Sequence, residues 1–291
     1  MCHTENLNDI SKFKEYFDII FPVTAFILGI LADRIIDIFV ERKRVSKAGE
    51  RWIAEIEFYN TPLDNQIEEL KKFLIEHRKE KFDTPEVTTI IQLRGDIFKS
   101  LDKGDLYKYL LQKFKKREKA IEIGNKINGA VLINEQLAIN LENKFYSYQD
   151  TCSKHVDYFK LHLQKAMKSF VKLETEVEKI NNDPLLGPID LLFRKYIFPH
   201  LAYTGTTDEN KTPMELFEIQ SEFLIPTIEH LSKFIGDERI EIFSTHISEC
   251  QQAIIEIRLE KSYLEINIEN FIEGFIRVKE SLSECLNEIK K

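Results

Sequence analysis

The feature that most constrains the fold is a long apolar seam near the C-terminal end of the sequence. Fourteen positions between Phe243 and Ile289 alternate spacings of four and three residues, and Lys261 is the only polar residue among them. This alternation is typical of a helix that buries one face along its whole length. Such a helix over residues 238–290 would be about 80 Å long at 1.5 Å per residue. Further apolar residues flank the seam at Ile255, Leu259, Ile266, Ile272 and Ile276. The wide stripe predicts a helix that packs on two sides.

A second region without helix breakers lies between Asp105 and Asn182. It contains no proline, and glycine occurs only at positions 124 and 129. Apolar residues keep the 3-4 alternation over residues 156–180 and follow it more loosely over residues 123–145, where Asn134 lies in the seam. The pattern predicts either one long helix or a helical hairpin broken near residues 147–151.

Composition agrees with a helical fold. The 291 residues include only 10 Gly and 8 Pro, and no strand pattern of convincing length occurs. A charged fraction of 31% excludes a polytopic membrane protein, and a hydrophobic fraction of 43% excludes a disordered chain. The four cysteines form no CxxC motif, which favours a reducing compartment over a disulfide framework or a zinc knuckle.

Helix boundaries follow from proline and capping residues. Thr-Pro pairs at 61–62, 84–85 and 212–213 predict three helix starts, and Pro226 predicts a kink. Asp102–Asp105 reads as a turn, and the proline-rich residues 183–213 read as an irregular connector.

An apolar segment near the N-terminus predicts a membrane anchor. The run Ile19–Ala32 has no charge, and apolar character continues to Val40. Five basic residues follow within residues 42–51, whereas only Lys12 and Lys14 precede the run. The positive-inside rule then puts the N-terminus outside and the bulk of the chain in the cytoplasm, on a single-pass inner-membrane protein. The side chains expected in lipid are Ile19, Phe21, Phe26, Ile27, Leu28, Gly29, Ile30 and Leu31. The alternative is a buried first helix of a soluble bundle, because an uncharged run of 14 residues is short for a membrane span.

Two patterns predict self-association. Ala25 and Gly29 form a small-xxx-small pair that permits close helix packing in a bilayer. The C-terminal seam is the second candidate, with Ile254, Ile257, Leu264, Ile268, Phe271 and Phe275. Whether the seams pair within one chain or between chains stays open, because both arrangements show the same spacing.

An acidic stripe follows the apolar run. Asp33, Asp37 and Glu41 share one helix face, four residues apart. The stripe faces a pore or a partner helix, or it belongs to a cytoplasmic continuation of the helix in which Arg34 pairs with Asp37.

The sequence carries few signals of chemistry. Nucleotide-binding loops and the common hydrolase and metalloprotease motifs do not occur, so we expect no cofactor and no metal. The basic run Lys113–Lys119 reads as a mid-helix solvated face or as a contact for RNA or an anionic membrane. A net charge of −8 argues against general nucleic-acid binding.

One short motif points to catalysis. The stretch Arg194 to His200 is an R-x5-H in a helical chain, and it resembles the Arg-x4–6-His motif of HEPN-type ribonucleases, which are helical bundles that cut RNA as dimers. The resemblance implies that His200 acts as acid/base or polarises the attacking 2′-hydroxyl, and that Arg194 stabilises charge on the phosphate. Lys195 and Pro199 depart from that pattern.

These inferences give an all-α fold with an N-terminal membrane-anchor helix followed by long antiparallel helices in a bundle or coiled coil. The expected segments are a tail (1–15), the anchor helix with its basic flank (16–44), a long-helix region (45–182), a connector (183–213) and a C-terminal helical region (214–291). The layout resembles single-span helical accessory and effector proteins of bacterial antiphage and CRISPR systems.

The resemblance in layout implies a membrane-anchored, self-associating protein without enzymatic chemistry. Its expected partners are the lipid bilayer, further copies of the chain and a protein partner. The alternatives are a HEPN-like ribonuclease, which has RNA as its partner, and a soluble helical module that binds a protein.

Overall fold

The computed structural model describes residues 5–82, 88–89, 93, 96–176, 183–198 and 215–291; within its helices, the side chains of residues 5–20, 22, 23, 27, 96, 97 and 176 lie outside that description. All regular structure in the described part of the chain is helical, which confirms the all-α prediction. The α-helices are α1 (Glu5–His77), α2 (Asp96–Lys99), α3 (Lys103–Lys113), α4 (Arg117–Glu176), α5 (Leu186–Leu192), α6 (Leu216–Ile219), α7 (Ile225–Leu231) and α8 (Glu241–Lys290).

The chain divides into two compact units. The first consists of Met1–Tyr59, Asp96–Val131 and Ser281–Lys291, and the second of Asn60–Gly95 and Leu132–Glu280. Helices α1, α4 and α8 each contribute residues to both units.

The core of the first unit is centred on Trp52. Its ring is buried and lies 5.6 Å from the ring of Phe98, which also packs edge-on against Tyr59 at 5.0 Å. The Trp52 indole Nε1 donates a hydrogen bond to the carbonyl oxygen of Asp102 at 3.1 Å. The sequence predicted a turn at residues 102–105, and the structure differs from that prediction. Asp102 is the N-cap of α3, and its carboxylate accepts from the backbone N–H of Gly104 at 2.6 Å.

The second unit contains an aromatic cluster that joins four of its elements. Phe193 stacks on Phe170 at 4.8 Å, meets Phe223 edge-on at 4.9 Å and lies 6.0 Å from Phe243. All four rings are at most 1% exposed. Because fully buried aromatic side chains carry large apolar areas, this cluster fixes α5 and the segment around α6 and α7 on the long helices.

Lys261, the single polar residue of the C-terminal seam, binds the segment that follows α1. Its buried ammonium donates to the carbonyl oxygens of Lys79 and Lys81, the latter at 2.9 Å. The backbone carbonyl of Lys261 also lies 3.2 Å from Nε2 of His77. Helix α1 ends at His77, so these carbonyls belong to the segment after the helix, and they give the buried ammonium the polar partners that burial of a charge requires.

The helix start predicted at Pro62 is wrong, and the break near residues 147–151, one of two arrangements that the sequence left open, does not occur. Helix α1 continues through Pro62, and α4 continues through residues 147–151. The missing N–H of a proline removes one helical hydrogen bond, but Leu63, Ile67 and Leu70 remain buried beyond it, and this packing holds the helix together. The basic run is not mid-helix, because residues 114–116 separate α3 from α4.

The prolines of the C-terminal half have mixed outcomes. A five-residue π-helical turn, Gln220–Leu224, directly precedes α7, and Pro226 stands in the first turn of that helix. The extra residue in the π turn thus adjusts the backbone where the sequence predicted a kink. The capping box lies at Glu215 and Glu218. The predicted helix starts at Thr84 and Thr212 lie outside the described residues.

The burial pattern of α8 predicts a sharp contrast in stability between two neighbouring isoleucines. Ile268 is fully buried and Ile266 is 55% exposed. Replacing Ile268 with alanine leaves a cavity and costs about 2–5 kcal/mol. Replacing Ile266 with alanine removes a partly hydrated side chain and changes the free energy of unfolding by about 0.5 kcal/mol or less. Urea unfolding of the full chain, followed by circular dichroism, measures both. Equal destabilisation by the two variants would contradict the packing described for α8.

Candidate functional site

The N-terminal part of α1 contains a long stretch of exposed side chains. Every described side chain from Phe21 to Arg44 is exposed, and Val45 is the first buried one. The large apolar side chains of this stretch are between 44% and 70% exposed, and they are Phe21, Phe26, Leu28, Ile30, Leu31, Ile35, Ile36, Ile38, Phe39 and Val40. We call residues 21–44 the exposed segment. Ten large apolar residues in one uncovered helical stretch far exceed the scattered exposure usual for a soluble surface.

The exposed segment is two-sided from residue 33 onward. At about 100° per residue, Asp33, Arg34, Asp37 and Glu41 all fall within about a third of the helix circumference. Leu28, Leu31, Ile35, Ile38 and Phe39 lie on the opposite side. An apolar arc and a charged stripe on one helix are typical of a helix placed at a boundary between an apolar phase and water.

An ion-pair network holds the base of the exposed segment. Both terminal nitrogens of Arg44 donate to the carboxylate of Asp105 on α3, each at 2.8 Å, and its Nε donates to Glu41 at 2.8 Å. The ammonium of Lys108, one turn further along α3, lies 3.2 Å from the same Glu41. A bidentate arginine–carboxylate pair is geometrically specific, so the network sets the register of α3 on α1.

The network keeps its carboxylates ionised. Hydrogen bonds from Arg44 and Lys108 lower the pKa of Glu41 to about 2. The hydrogen bond from Arg44 also holds the pKa of Asp105 below its usual range, and the two carboxylates in turn raise the pKa of Arg44. Glu41, Asp105 and Arg44 therefore stay charged at every pH at which the protein is expected to work.

Tight backbone contact adds to this junction. A Cβ placed on Gly49 of α1 would fall inside the ring of Tyr109 on α3, so only glycine permits this approach. The signal for this junction in the sequence was limited to the Glu41–Arg44 spacing of three residues. Nothing in the sequence pointed to Asp105, Lys108 or Tyr109, because they meet α1 only through the tertiary fold.

The described anchor residues all lie on the exposed segment: Phe21, Phe26, Leu28, Gly29, Ile30 and Leu31 are exposed, whereas the side chains of Ile19 and Ile27 lie outside the described residues. Ala25 and Gly29 are also exposed, and a Cβ built on Gly29 meets nothing within 4 Å. Among the residues that the structure describes, no helix is long and apolar enough to cross a membrane.

The seam residues predicted for self-association are used inside the chain. Their side chains are at most 8% exposed, namely Ile254, Ile257, Leu264, Ile268, Phe271 and Phe275. A residue buried against its own chain offers no surface to a second copy. The neighbouring exposed side chains Ile255, Leu259 and Ile266 are the part of α8 that faces solvent.

The structure gives Arg194 a structural setting. It lies in a π-helical turn, Phe193–Ile197, and its Nε donates to both carboxylate oxygens of Asp190, at 2.7 and 2.9 Å. Asp190 is 2% exposed, and a second carboxylate, that of Glu174, lies 3.3 Å from the guanidinium. His200 lies outside the described residues. Arg194 thus compensates a buried carboxylate, a role that needs no substrate.

No metal-binding cluster of three or more His, Cys, Asp or Glu occurs in the described part of the chain. Burial raises the pKa of the Cys152 thiol to about 11 and that of Cys250 to about 12. Such thiols stay protonated and act as small apolar groups.

Comparison with known protein families, curated proteins and solved structures finds no match to this chain.

Acid should loosen α3 from α1 in a defined pH range. A carboxylate whose pKa is lowered in the folded state stabilises that state at pH values above its unfolded pKa, which is about 4. This contribution is lost as the pH falls through the folded pKa, which is about 2 for Glu41. Trp52 is the single tryptophan and reports on this junction. We follow urea unfolding by Trp52 fluorescence and expect the urea concentration at the midpoint to be constant from pH 7 to about 4.5. At lower pH we expect this midpoint to decrease.

Asp105→Asn should lower the urea midpoint at pH 7 and should make it decrease less in acid, because this variant lacks one of the two carboxylates whose pKa is lowered. Asp150→Asn is the control, since Asp150 forms an exposed pair with Lys154 on α4. An Asp105→Asn variant with the full wild-type acid response would contradict the network's role.

Arg194→Ala should destabilise the chain more than Lys195→Ala. The first change leaves buried Asp190 without its charge partner, whereas Lys195 is exposed and lies over the ring of Tyr196. Thermal unfolding of both variants measures the difference. If Arg194→Ala has wild-type stability but loses RNA cleavage, Arg194 acts in a ribonuclease site and the structural role is contradicted.

Proposed function

We propose that the protein is a membrane-anchored, self-associating helical protein that acts at the inner membrane without enzymatic chemistry. The observation that carries the proposal is the exposed segment of α1, in which ten large apolar side chains are between 44% and 70% exposed. Apolar surface gains about 25 cal/mol per Å² when it leaves water, so a helix with this surface favours lipid or another apolar partner.

The length of the apolar region suits a bilayer. Residues 16–40 of the sequence would extend about 37 Å as a helix, compared with about 30 Å for the hydrocarbon core. The charges at Asp33, Arg34 and Asp37 come near its C-terminal end, on one face, where a polar stripe reaches the interface while the opposite arc stays in lipid.

The basic flank gives the orientation of this proposed anchor. Arg42, Lys43 and Lys47 are exposed at the C-terminal end of the segment. Positive charge beside a span favours the cytoplasmic side, so the N-terminus lies outside and residues 45–291 lie inside the cell.

Self-association is proposed to occur through the same segment. The open surface at Ala25 and Gly29 allows two helices to approach closely within lipid, where small residues replace the hydrophobic driving force by tight packing. The combination of one exposed apolar helix and a helical cytoplasmic part is the layout on which the resemblance to antiphage effector proteins rests.

The anchor is tested by alkaline carbonate extraction of the full-length protein from bacterial inner membranes. The wild type should stay in the washed pellet. The double variant Leu28→Arg/Leu31→Arg should move to the supernatant, because each charge near the middle of a span costs about 2.5–3.5 kcal/mol.

The matched control is Ile266→Arg, which places the same charge on an exposed apolar position of α8 and should remain in the pellet. Trp52 emission checks that each variant is folded. Release of the wild type by carbonate, or retention of the double variant, would contradict the anchor and favour a soluble module that binds a protein partner.

A further inference from the structure

The junction between α3 and α4 carries exposed positive charge that the packing does not use. Lys113, Lys115, Lys116 and Arg117 are all exposed, and none of them forms an ion pair with a carboxylate among the described residues. We call these four residues the basic junction. The next lysine differs, because Lys119 pairs with Glu288 of α8 and lies 5.4 Å from the ring of Phe114.

The basic junction is positively charged, whereas the whole chain carries a net negative charge. The protein has a net charge of −8, whereas residues 96–131 contain nine Lys or Arg and five Asp or Glu. Like charges repel and their side chains carry entropy, so four adjacent cations without partners contribute nothing to folding. A local excess of cations in an acidic protein points to an anionic partner at that place.

The contacts of α3 show where the basic junction lies. Along α3, Asp102 meets Trp52, Asp105 meets Arg44, and Lys108 meets Glu41. Helix α3 therefore runs antiparallel to α1, and each of its turns lies closer to the exposed segment. Lys113 is five residues beyond Lys108, or about 7.5 Å further along the helix. The basic junction thus reaches the level of the exposed segment, where Arg42 and Lys43 are also exposed.

A nearby groove is not the place where an anion would bind. It has a volume of about 410 Å³ and lies between the start of α4 and the end of α8. Its lysines are offset by four glutamates, including the pairs Lys119–Glu288 and Lys126–Glu122. Lys116 of the basic junction lines this groove, whereas Lys113, Lys115 and Arg117 lie outside its lining.

We propose that the basic junction binds the headgroups of anionic phospholipids on the membrane face that α1 enters. This inference rests on the proposed function, because α1 brings the junction to the surface. Each lysine or arginine near an anionic leaflet contributes about 1 kcal/mol, and the attraction acts within a Debye length of about 10 Å at 0.1 M salt. The junction sets how the cytoplasmic part lies on the membrane, and α1 alone supplies the insertion.

A lipid surface fits these features better than RNA does. The cations lie beside an apolar helical arc, which a bilayer accommodates together with its phosphates and a nucleic acid does not. The net charge of −8 repels a long polyanion from the rest of the chain.

The test uses the full-length protein in vesicles of phosphatidylcholine, with or without phosphatidylglycerol. Energy transfer from Trp52 to dansyl-labelled headgroups measures how closely the first unit lies to the surface. The wild type should show a gain in transfer when phosphatidylglycerol is present, and the gain should disappear at about 1 M salt, where the Debye length is about 3 Å. Lys115→Glu/Lys116→Glu/Arg117→Glu should lose the gain completely.

The matched control reverses three exposed lysines elsewhere on α4, Lys154→Glu/Lys160→Glu/Lys168→Glu, and should keep the gain. The proposal is overturned if the wild type shows no gain with phosphatidylglycerol, or if the junction variant keeps it. It is also overturned if the junction variant keeps the lipid gain but loses binding to a single-stranded RNA oligomer.

Carbonate-resistant insertion into pure phosphatidylcholine reports on the anchor separately, since no anionic lipid is present. If the chain does not insert, the anchor fails. The junction is then tested by sedimentation of the protein with the same vesicles. The proposal is supported if the wild type binds only the vesicles that contain phosphatidylglycerol and the junction variant does not bind them. Any other result overturns it.

Discussion

The buried seam of α8 is the constraint on which the rest of the structure depends. Its apolar residues from Phe243 to Ile289 lie against other parts of the chain in both units, and nearly all are less than 10% exposed. A helix of 50 residues in water is stabilised mainly by the burial of one face and only weakly by intrinsic propensity. Side chains of α8 meet both α1 and α4, as in the pairs Lys279–Asp64 and Tyr158–Glu249, and α1 stays continuous through Pro62. Val45 is the first buried residue of α1, and every described side chain from Phe21 to Arg44 is exposed.

Sequence periodicity predicted the seam, because a 3-4 spacing has one physical explanation: one helix face is covered. It did not distinguish a covering helix of the same chain from one of a second copy. The structure shows that Ile254, Ile257 and Ile268 are covered from within, which removes the seam as a surface for self-association. The same rule leaves the exposed segment of α1 as an apolar surface that faces solvent in the folded chain.

Local signals failed where distant residues decide the structure. Pro62 predicted a helix start, but burial on both sides of it outweighs one lost hydrogen bond. The sequence left open whether a break occurs near residues 147–151, and α4 continues through them. No proline or glycine marks the break between α3 and α4, at residues 114–116, in the sequence. Asp105 and Lys108 lie within α3, before this break, and bind Arg44 and Glu41, so the register of α3 on α1 is set by pairs more than 60 residues apart in sequence. Likewise, Arg194 matched a catalytic motif, yet its nearest partner is the buried carboxylate of Asp190.

The central claim is that the exposed segment of α1 lies in lipid, and a spin label at residue 31 tests it most directly. The Leu31→Cys variant, labelled with a nitroxide in reconstituted vesicles, should collide often with oxygen and rarely with a water-soluble nickel chelate, because oxygen concentrates in the hydrocarbon core. A label at Ile266→Cys on α8 should show the opposite preference, since that exposed position faces water. If the label at residue 31 collides with the nickel chelate as often as the label at residue 266, α1 is in water or against protein, and the account of this protein as membrane-anchored is wrong.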